Sequence, residues 1–522
     1  MSGRKTTEKK TYVRNGIGRL VAAGLAIIIQ VVWLFVIYRW AGYYYGEIST
    51  IFRILGLLLV LYIYNSKVNS GMKMPWMILI TVLPVLGVLL YVFVGLSGYV
   101  HLMRKKFDEI DAIMYSALSQ DDTIMKEIGE KNKNILSQVR YLSDYTKFPV
   151  YRNQGLEYYD NARDAFERQK EDLRHAKKFI FLEYHAVEDA RAFHEMEEIL
   201  LDRVENGVEV RLIYDDVGSI GFITTDFIKR MENKGIICRC FNPVSPLFSF
   251  FFNNRDHRKI TVIDGLVGYT GGYNLANEYF GYTHPYGEWK DTGVRAQGDA
   301  VRSLTLFFLE MWNAAKRKYY DTEDIDKYFT NDNENVVKTT NGYVQPYLDS
   351  PLDNEHVGEN VYLNMINGAN EYIYITTPYL IVTDEMQKCL RLAAKRGVDV
   401  RIITPGIPDK KSVYRLTKSY YSGLCLGGVR IFEYTPGFIH AKTWIADDHI
   451  ATCGTINLDY RSLYHNFENG FLMYDCDAVM DVKKDFLKSF EKCREVTAEY
   501  AGKQKKRHVI ADTVLRLLAP LL

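Results

Sequence analysis

His257-Arg-Lys259-Ile-Thr-Val-Ile-Asp264-Gly265, followed by Gly271-Gly272-Tyr273-Asn274, is answered later in the chain by His440-Ala-Lys442-Thr-Trp-Ile-Ala-Asp447, followed by Gly454-Thr455-Ile456-Asn457. In both copies the asparagine stands seventeen residues after the histidine and ten after the aspartate. One such spacing can be an accident; two at matching places can hardly be. On an extended strand residues two apart face the same side, so His and Lys project together into one cleft while the apolar residues after Lys bury the strand.

Around these stretches the chain repeats itself. Phe179-Ile-Phe-Leu-Glu183, Gly207-Val-Glu-Val-Arg-Leu-Ile213 and Gly235-Ile-Ile-Cys-Arg-Cys-Phe241 precede the first copy. Glu371-Tyr-Ile-Tyr-Ile-Thr376, Gly397-Val-Asp-Val-Arg-Ile-Ile403 and Gly428-Val-Arg-Ile-Phe432 precede the second. Each run has strand length and β-branched content, and helical stretches such as Ala192–Glu205 and Thr383–Arg396 lie between them. The alternation predicts an α/β fold of two tandem domains. We place them at 147–325 and 346–500, joined by a linker at 326–345 that overlaps the polar stretch Asp321–Asn341. Connecting helices are expected at 101–146 and a basic, amphipathic segment at 501–522. For its end, Val509–Leu522, two readings stand open: a terminal core helix, or a helix lying on a membrane behind Gly502-Lys-Gln-Lys-Lys-Arg507.

The motif residues suit phosphodiester chemistry. Lys259 and Lys442 supply positive charge, and Asn274 and Asn457 neutral donors, for non-bridging phosphate oxygens. His257 and His440 can each act as nucleophile or proton carrier near neutral pH. A lone histidine here would be read as a satisfied core residue, and the duplication reverses that. Two of them permit a two-step displacement through a covalent phosphohistidine that needs no metal and no cofactor.

Composition narrows the partner. Of 522 residues 48% are hydrophobic and 25% charged, as in an ordinary globular protein. Lys+Arg of 65 against Asp+Glu of 64 gives a net charge of +1, which argues against nucleic acid as a partner. Seven scattered cysteines without a paired framework read as reduced structural thiols.

The first 100 residues predict a membrane anchor. Leu20–Tyr38 and Pro75–Val94 are each long enough to span, the second with a kink at Pro84 and Gly87, while Ile54–Tyr64 is short, either interfacial or a short span. Arg4, Lys5, Lys9, Lys10, Arg14 and Arg19 hold the N-terminus in the cytosol, and two spans return the chain there ahead of Arg104, Lys105 and Lys106. The expected setting is therefore a membrane, multi-pass, with cytosolic catalytic halves.

At these residues the chain resembles the phospholipase D superfamily, whose signature is H-x-K-x4-D with a following G-G/S/T-x-N, and within it the bacterial cardiolipin synthases. Supporting stretches are Pro84-Val-Leu-Gly87-Val-Leu-Leu-Tyr91, Arg255-Asp-His-Arg-Lys259, Gly454-Thr-Ile-Asn-Leu-Asp-Tyr-Arg-Ser462 and Leu518-Ala-Pro-Leu-Leu522. The resemblance implies transfer of a phosphatidyl group between two phosphatidylglycerol molecules, giving cardiolipin and glycerol. It also implies His257 as nucleophile and His440 as acid/base. Carboxylates against the far ring nitrogens are implied too, with Asp291 and Glu468 as the matching positions; a surface charge is the alternative for each. Asp264 and Asp447 complete the motifs and are counted with the catalytic residues, although they can be structural rather than chemical. The apolar insert Pro243–Phe252 is either buried core or a lip for acyl chains. Rival readings are a hydrolytic phospholipase D, a nuclease, which net charge and anchor disfavour, and a non-catalytic scaffold, which two intact motifs disfavour.

Overall fold

A computed structural model describes residues 45–95, 98–244, 254–315, 325–329, 338–353, 355–502 and 509–521, with scattered positions before 45. Two sheets dominate. In the first half, six strands run in the order Gly293–Gln297, Val267–Gly271, Lys259–Ile263, Phe179–Tyr184, Glu209–Asp215, Ile237–Phe241, with Glu157–Tyr159 on the outer edge. In the second, Asn466–Tyr474, Ile450–Gly454, Thr443–Ala446, Tyr372–Thr376, Asp399–Pro405 and Arg430–Tyr434 repeat that order. The last three strands of each series are parallel and the others antiparallel, so each half is a mixed α/β unit. The strands Phe179–Tyr184 and Tyr372–Thr376 are buried along their whole length, which is why they read as continuous apolar runs rather than alternating ones.

The halves are not sequential beads. Tyr151–Arg152, at the start of the first predicted domain, pairs with Tyr343 and Val344 in the second sheet. The strand Tyr343–Asp349 begins inside the segment assigned to the linker, and Tyr328, also in that segment, is buried with its ring 5.0 Å from those of Phe179 and Phe181. The apolar ring of Tyr328 belongs to the core, so the linker boundary moves. The helix Ala300–Ala314, buried almost throughout, lies within a main core that draws on both halves. The insert at 245–253 lies outside the described residues. All seven cysteines are free thiols, Cys238 buried and Cys240 partly exposed.

The N-terminal region departs from the expected pair of spans. Most of 20–38 lies outside the described residues, although Val21, Leu25, Ile28, Ile29, Val32, Trp33 and Val36 are helical and exposed. The run 75–94 is not one helix. Ser70–Val82 ends at Leu83, where ψ turns to 73°, and Pro84–Leu90 starts afresh before a π-turn at Tyr91–Gly95. The second helix folds back on the first: a Cβ on Gly87 would meet the Ile80 Cα at 2.6 Å, so only glycine fits that approach. Among the described residues no helix is long and apolar enough to cross a membrane. Tyr45–Asn65, which contains 54–64, completes a three-helix unit whose inner face is Ile63, Ile80 and Val88. Its outer face leaves Ile54, Leu57, Leu58 and Leu61 more than half exposed. The turn at Asn69 touches the second half, donating from its amide to the Tyr464 hydroxyl at 3.1 Å.

Candidate active site

Two short strands cross between the halves and build the site. Arg255–Asp256 of the first half runs parallel to Asn466–Phe467 of the second, and the His257 N–H donates to the Phe467 carbonyl at 2.9 Å. Reciprocally, Gly437–Ile439 runs parallel to Glu288–Lys290, and the His440 N–H donates to the Lys290 carbonyl at 2.7 Å. Each histidine is thereby stitched beside the residue next in sequence on the other half. His257 Nδ1 lies 2.8 Å from Glu468 Oε2, and His440 Nδ1 lies 2.7 Å from Asp291 Oδ2. An ionised carboxylate only accepts, so against ionised Glu468 and Asp291 Nδ1 carries the proton in each ring and Nε2 is left for chemistry.

Strand alternation places the rest. Lys259 and Lys442 stand two residues on and are almost fully buried, each donating to the carbonyl of its own histidine. Lys442 Nζ also lies 2.8 Å from His440 Nδ1. Arg258, between His257 and Lys259, turns to the opposite face and pairs with Glu310 of the central helix at 2.5 Å, both groups buried. In the second copy Ala441 occupies that position.

The remaining motif residues divide unequally. Asn274 is already engaged: its Oδ1 accepts from the Ala186 N–H at 3.1 Å and its amide donates to the Tyr279 hydroxyl at 2.8 Å. Asn457 Oδ1 is buried with no partner among the described residues. Asp264 and Asp447, included above with the catalytic residues, touch neither histidine. Asp264 accepts the N–H groups of Lys177, Lys178 and Phe179 at 2.7 to 2.9 Å. Asp447 accepts those of Asn370, Glu371 and Tyr372 at 2.6 to 2.9 Å. Both sit at positive φ (55° and 52°), which aspartate tolerates. Their geometry fastens the entry of a central strand.

Electrostatics separates the two histidines. Burial, then the charges of Lys259 and Lys442, holds His257 well below its ordinary range. Burial and Lys442 lower His440 to about 4, against the opposing pull of Asp291. Burial also brings Lys259 down to about 7 and Lys442 to about 8. For Asp291, burial pushes the carboxyl up but His440 and Lys442 outweigh it and hold it below the usual range. Glu468 is pushed up by burial to about 7. A phosphodiester anion entering this cluster would favour the charged form of every histidine and lysine in it.

Some neighbours carry no motif signal. His185 follows the first parallel strand, its ring 4.9 Å from that of His257, and its Nδ1 donates to the Asp256 carbonyl at 2.7 Å. Burial, with the charge of Lys259 nearby, holds it well below its ordinary range. Beside His440 stand Tyr279, Trp289 and Phe438, with ring centroids 5.3, 5.4 and 5.8 Å away. Position at the C-terminal end of a parallel strand was the one available pointer to His185; the aromatic wall depends on the crossing of strands between halves and has no local signature.

A family pattern described as "Cardiolipin synthase, PLD-like domain" matches residues 169–286 and 362–492, and one described as "Phospholipase_D-nuclease N-terminal" matches 54–95. The chain is 42% identical over 463 residues to an uncharacterized protein of Streptococcus mutans, covering 89% of this chain and 99% of that one. It is 32% identical over 472 residues to a cardiolipin synthase of Oceanobacillus iheyensis (88% and 95% covered) and 30% identical over 496 residues to one of Halalkalibacterium halodurans (92% and 95%). In fold it is similar to the crystal structure of phosphatidylserine synthase from Haemophilus influenzae, with a TM-score of 0.54 at 15% identity over 72% of this chain and 98% of that one.

Proposed function

The chain belongs to the phospholipase D-like cardiolipin synthase family and is a phosphatidyltransferase, and from that premise we propose that it joins two phosphatidylglycerol molecules into cardiolipin and glycerol through a phosphohistidine. The observation that carries the mechanism is the reciprocal pairing of each histidine with a carboxylate of the opposite half. Nε2 of His257 attacks phosphorus; the P–N bond forms as the P–O bond to glycerol breaks, and the alkoxide takes the Nε2 proton of a His440 imidazolium, the form that Asp291 and the bound phosphodiester favour. The terminal hydroxyl of the second phosphatidylglycerol then gives its proton to His440 Nε2 and attacks the same phosphorus. The P–N bond breaks and its electron pair returns to His257.

The assignment of roles has support beyond family resemblance. Asp291 stays ionised and stabilises an imidazolium at His440, as an acid/base requires. His257, held neutral by burial and the two lysines, keeps its Nε2 lone pair for attack. Lys259 and Lys442 face the same cleft and can neutralise the phosphoryl oxygens.

Membrane association belongs to this proposal as well. The exposed apolar faces of the 45–95 unit suit a phospholipid surface, and the basic N-terminus suits the cytosolic side of a plasma membrane. Radiolabelled phosphatidylglycerol tests the chemistry. His440→Ala should accumulate a covalent phosphatidyl-enzyme and His257→Ala should form none, each with turnover reduced about 10³-fold or more. Glycerol released with phosphatidic acid instead of cardiolipin would make the chain a hydrolase.

A further inference from the structure

In the second half a cavity of about 620 Å³ opens between the helices Asp384–Lys395, Lys411–Cys425 and the C-terminal Val509–Leu518. It shares no residue with the histidine site. Its polar lining is Arg391, Arg516, Gln387, Ser419 and Ser422, and no carboxylate lines it. Arg516 is already oriented: it donates from Nε to Ser419 Oγ at 3.1 Å and from Nη2 to the Ser419 carbonyl at 2.8 Å, and lies 4.2 Å from the Tyr420 ring centroid. The nearby acids are otherwise occupied, Asp512 with Arg415 at 2.9 Å and Asp384 with the Gln387 amide at 3.3 Å. Neither Arg391 nor Arg516 pairs with a carboxylate among the described residues.

Two guanidiniums, the Ser422 hydroxyl and the Gln387 amide on a cavity without acids constitute a phosphate-recognising set, while the Ser419 hydroxyl donates to the Leu416 carbonyl at 2.6 Å and serves to orient Arg516. The surroundings say in which form the phosphate arrives. Ile510, Val514 and Leu518, spaced four apart, form an apolar stripe on the outer face of the terminal helix, exposed by 82, 50 and 42%. Arg516 falls on the opposite side, and Leu515 packs into the core. Leu426, 63% exposed, stands at the cavity mouth. Lys503, Lys505, Lys506 and Arg507 precede the helix in sequence. A helix lying with that stripe among acyl chains puts the cavity behind it at the depth of lipid phosphates.

We propose that this cavity holds the phosphate of an anionic phospholipid headgroup at a second lipid site, one that seats the second half on the membrane and takes no part in the chemistry. It rests on the reading that the chain works at a phospholipid surface. A photoreactive diazirine phosphatidylglycerol added to the full chain in neutral detergent, with labelled peptides mapped, tests it. Label is expected on peptides spanning 411–427 and 509–518 as well as at the histidine site. In the double variant R391Q/R516Q the cavity label should fall about tenfold or more while the histidine-site label stays, and R391K/R516K should retain both. Should the double variant misfold by circular dichroism, the exposed Arg391→Gln alone decides on the same readout. Cavity label that survives the loss of charge, or equal labelling by a phosphatidylcholine probe, overturns the proposal; displacement by excess inorganic phosphate assigns the cavity to free phosphate and overturns the lipid. Loss of label from the histidine site alone would fault the proposed function and leave this site standing.

Discussion

Beside His440 the Asp291 carboxyl is held below its usual range, whereas Glu468 beside His257 is lifted to about 7 by burial. Because both carboxylates fix a tautomer, Glu468→Gln, whose amide can present a proton to Nδ1 and so move the ring proton to Nε2, should lower kcat roughly 10²- to 10⁴-fold. Asp291→Asn should do the same, and combining them should add little, since the groups act as one unit. Turnover and phosphoenzyme burst measurements check this. The buried lysines set the pH response. With Lys259 near 7 and Lys442 near 8, the free enzyme loses its cationic cradle as pH rises through that window, so kcat/KM should decline there. Bound phosphodiester raises both values, and the limb in kcat should lie at higher pH. Stability moves the other way: a lysine lowered on folding destabilises while the unfolded chain binds the extra proton, and that cost fades as pH climbs from about 7 towards 10. Lost activity without a lower unfolding midpoint at pH 8 to 9 would separate the two; a flat kcat/KM from pH 6 to 9 would count against the lysine cradle. Duplicated spacing made His257, Lys259, His440 and Lys442 legible in sequence. His185 and the wall of Tyr279, Trp289 and Phe438 stayed hidden, because ring neighbours assembled by crossing strands share no local pattern.

At the scale of elements, Asp264 and Asp447 show how a spacing can be right and its meaning different. Their distance from the histidine is set by strand length and the turn that follows, so the same interval serves a backbone clamp or a catalytic group. Asp264→Ala should destabilise by about 3 kcal/mol, since three N–H groups lose a charged acceptor. Asp264→Asn, which keeps an acceptor and tolerates positive φ, should cost about 1 kcal/mol. In both, the folded fraction should keep its KM, which denaturant melts paired with kinetics will check. The 75–94 run misled for a related reason. Hydropathy averages over residues and records no direction, so a chain that breaks at Leu83 and returns past Gly87 looks like one straight span. Gly87→Val should spring the helix Pro84–Leu90 from Ile80, exposing 70–95 to limited proteolysis with little change in the far half. The strand runs fared better, because matching strands in two series print the same composition twice.

For the whole molecule, the repeat was legible and the joint between its copies was not. Arg255–Asp256 and Gly437–Ile439 are too short to register as strands, and their partners lie well over a hundred residues away. Residues 147–325 and 346–500 produced separately should each be inactive, since neither holds a histidine with its carboxylate, and Tyr151–Arg152 and Tyr343 would be cut from their sheet. Activity restored on mixing would have to rise steeply with concentration. Activity in either half alone would dismiss the shared site. The strand exchange also bears on how the enzyme behaves when scarce. Carried on two independent subunits, the same reciprocal arrangement would dissociate at low copy number and lose both histidine–carboxylate pairs together. Tethered in one chain, the partners meet at millimolar effective concentration whatever the number of molecules in the cell. Specific activity should therefore be indifferent to dilution, and the ratio of nucleophile to acid/base is fixed at one by covalent continuity.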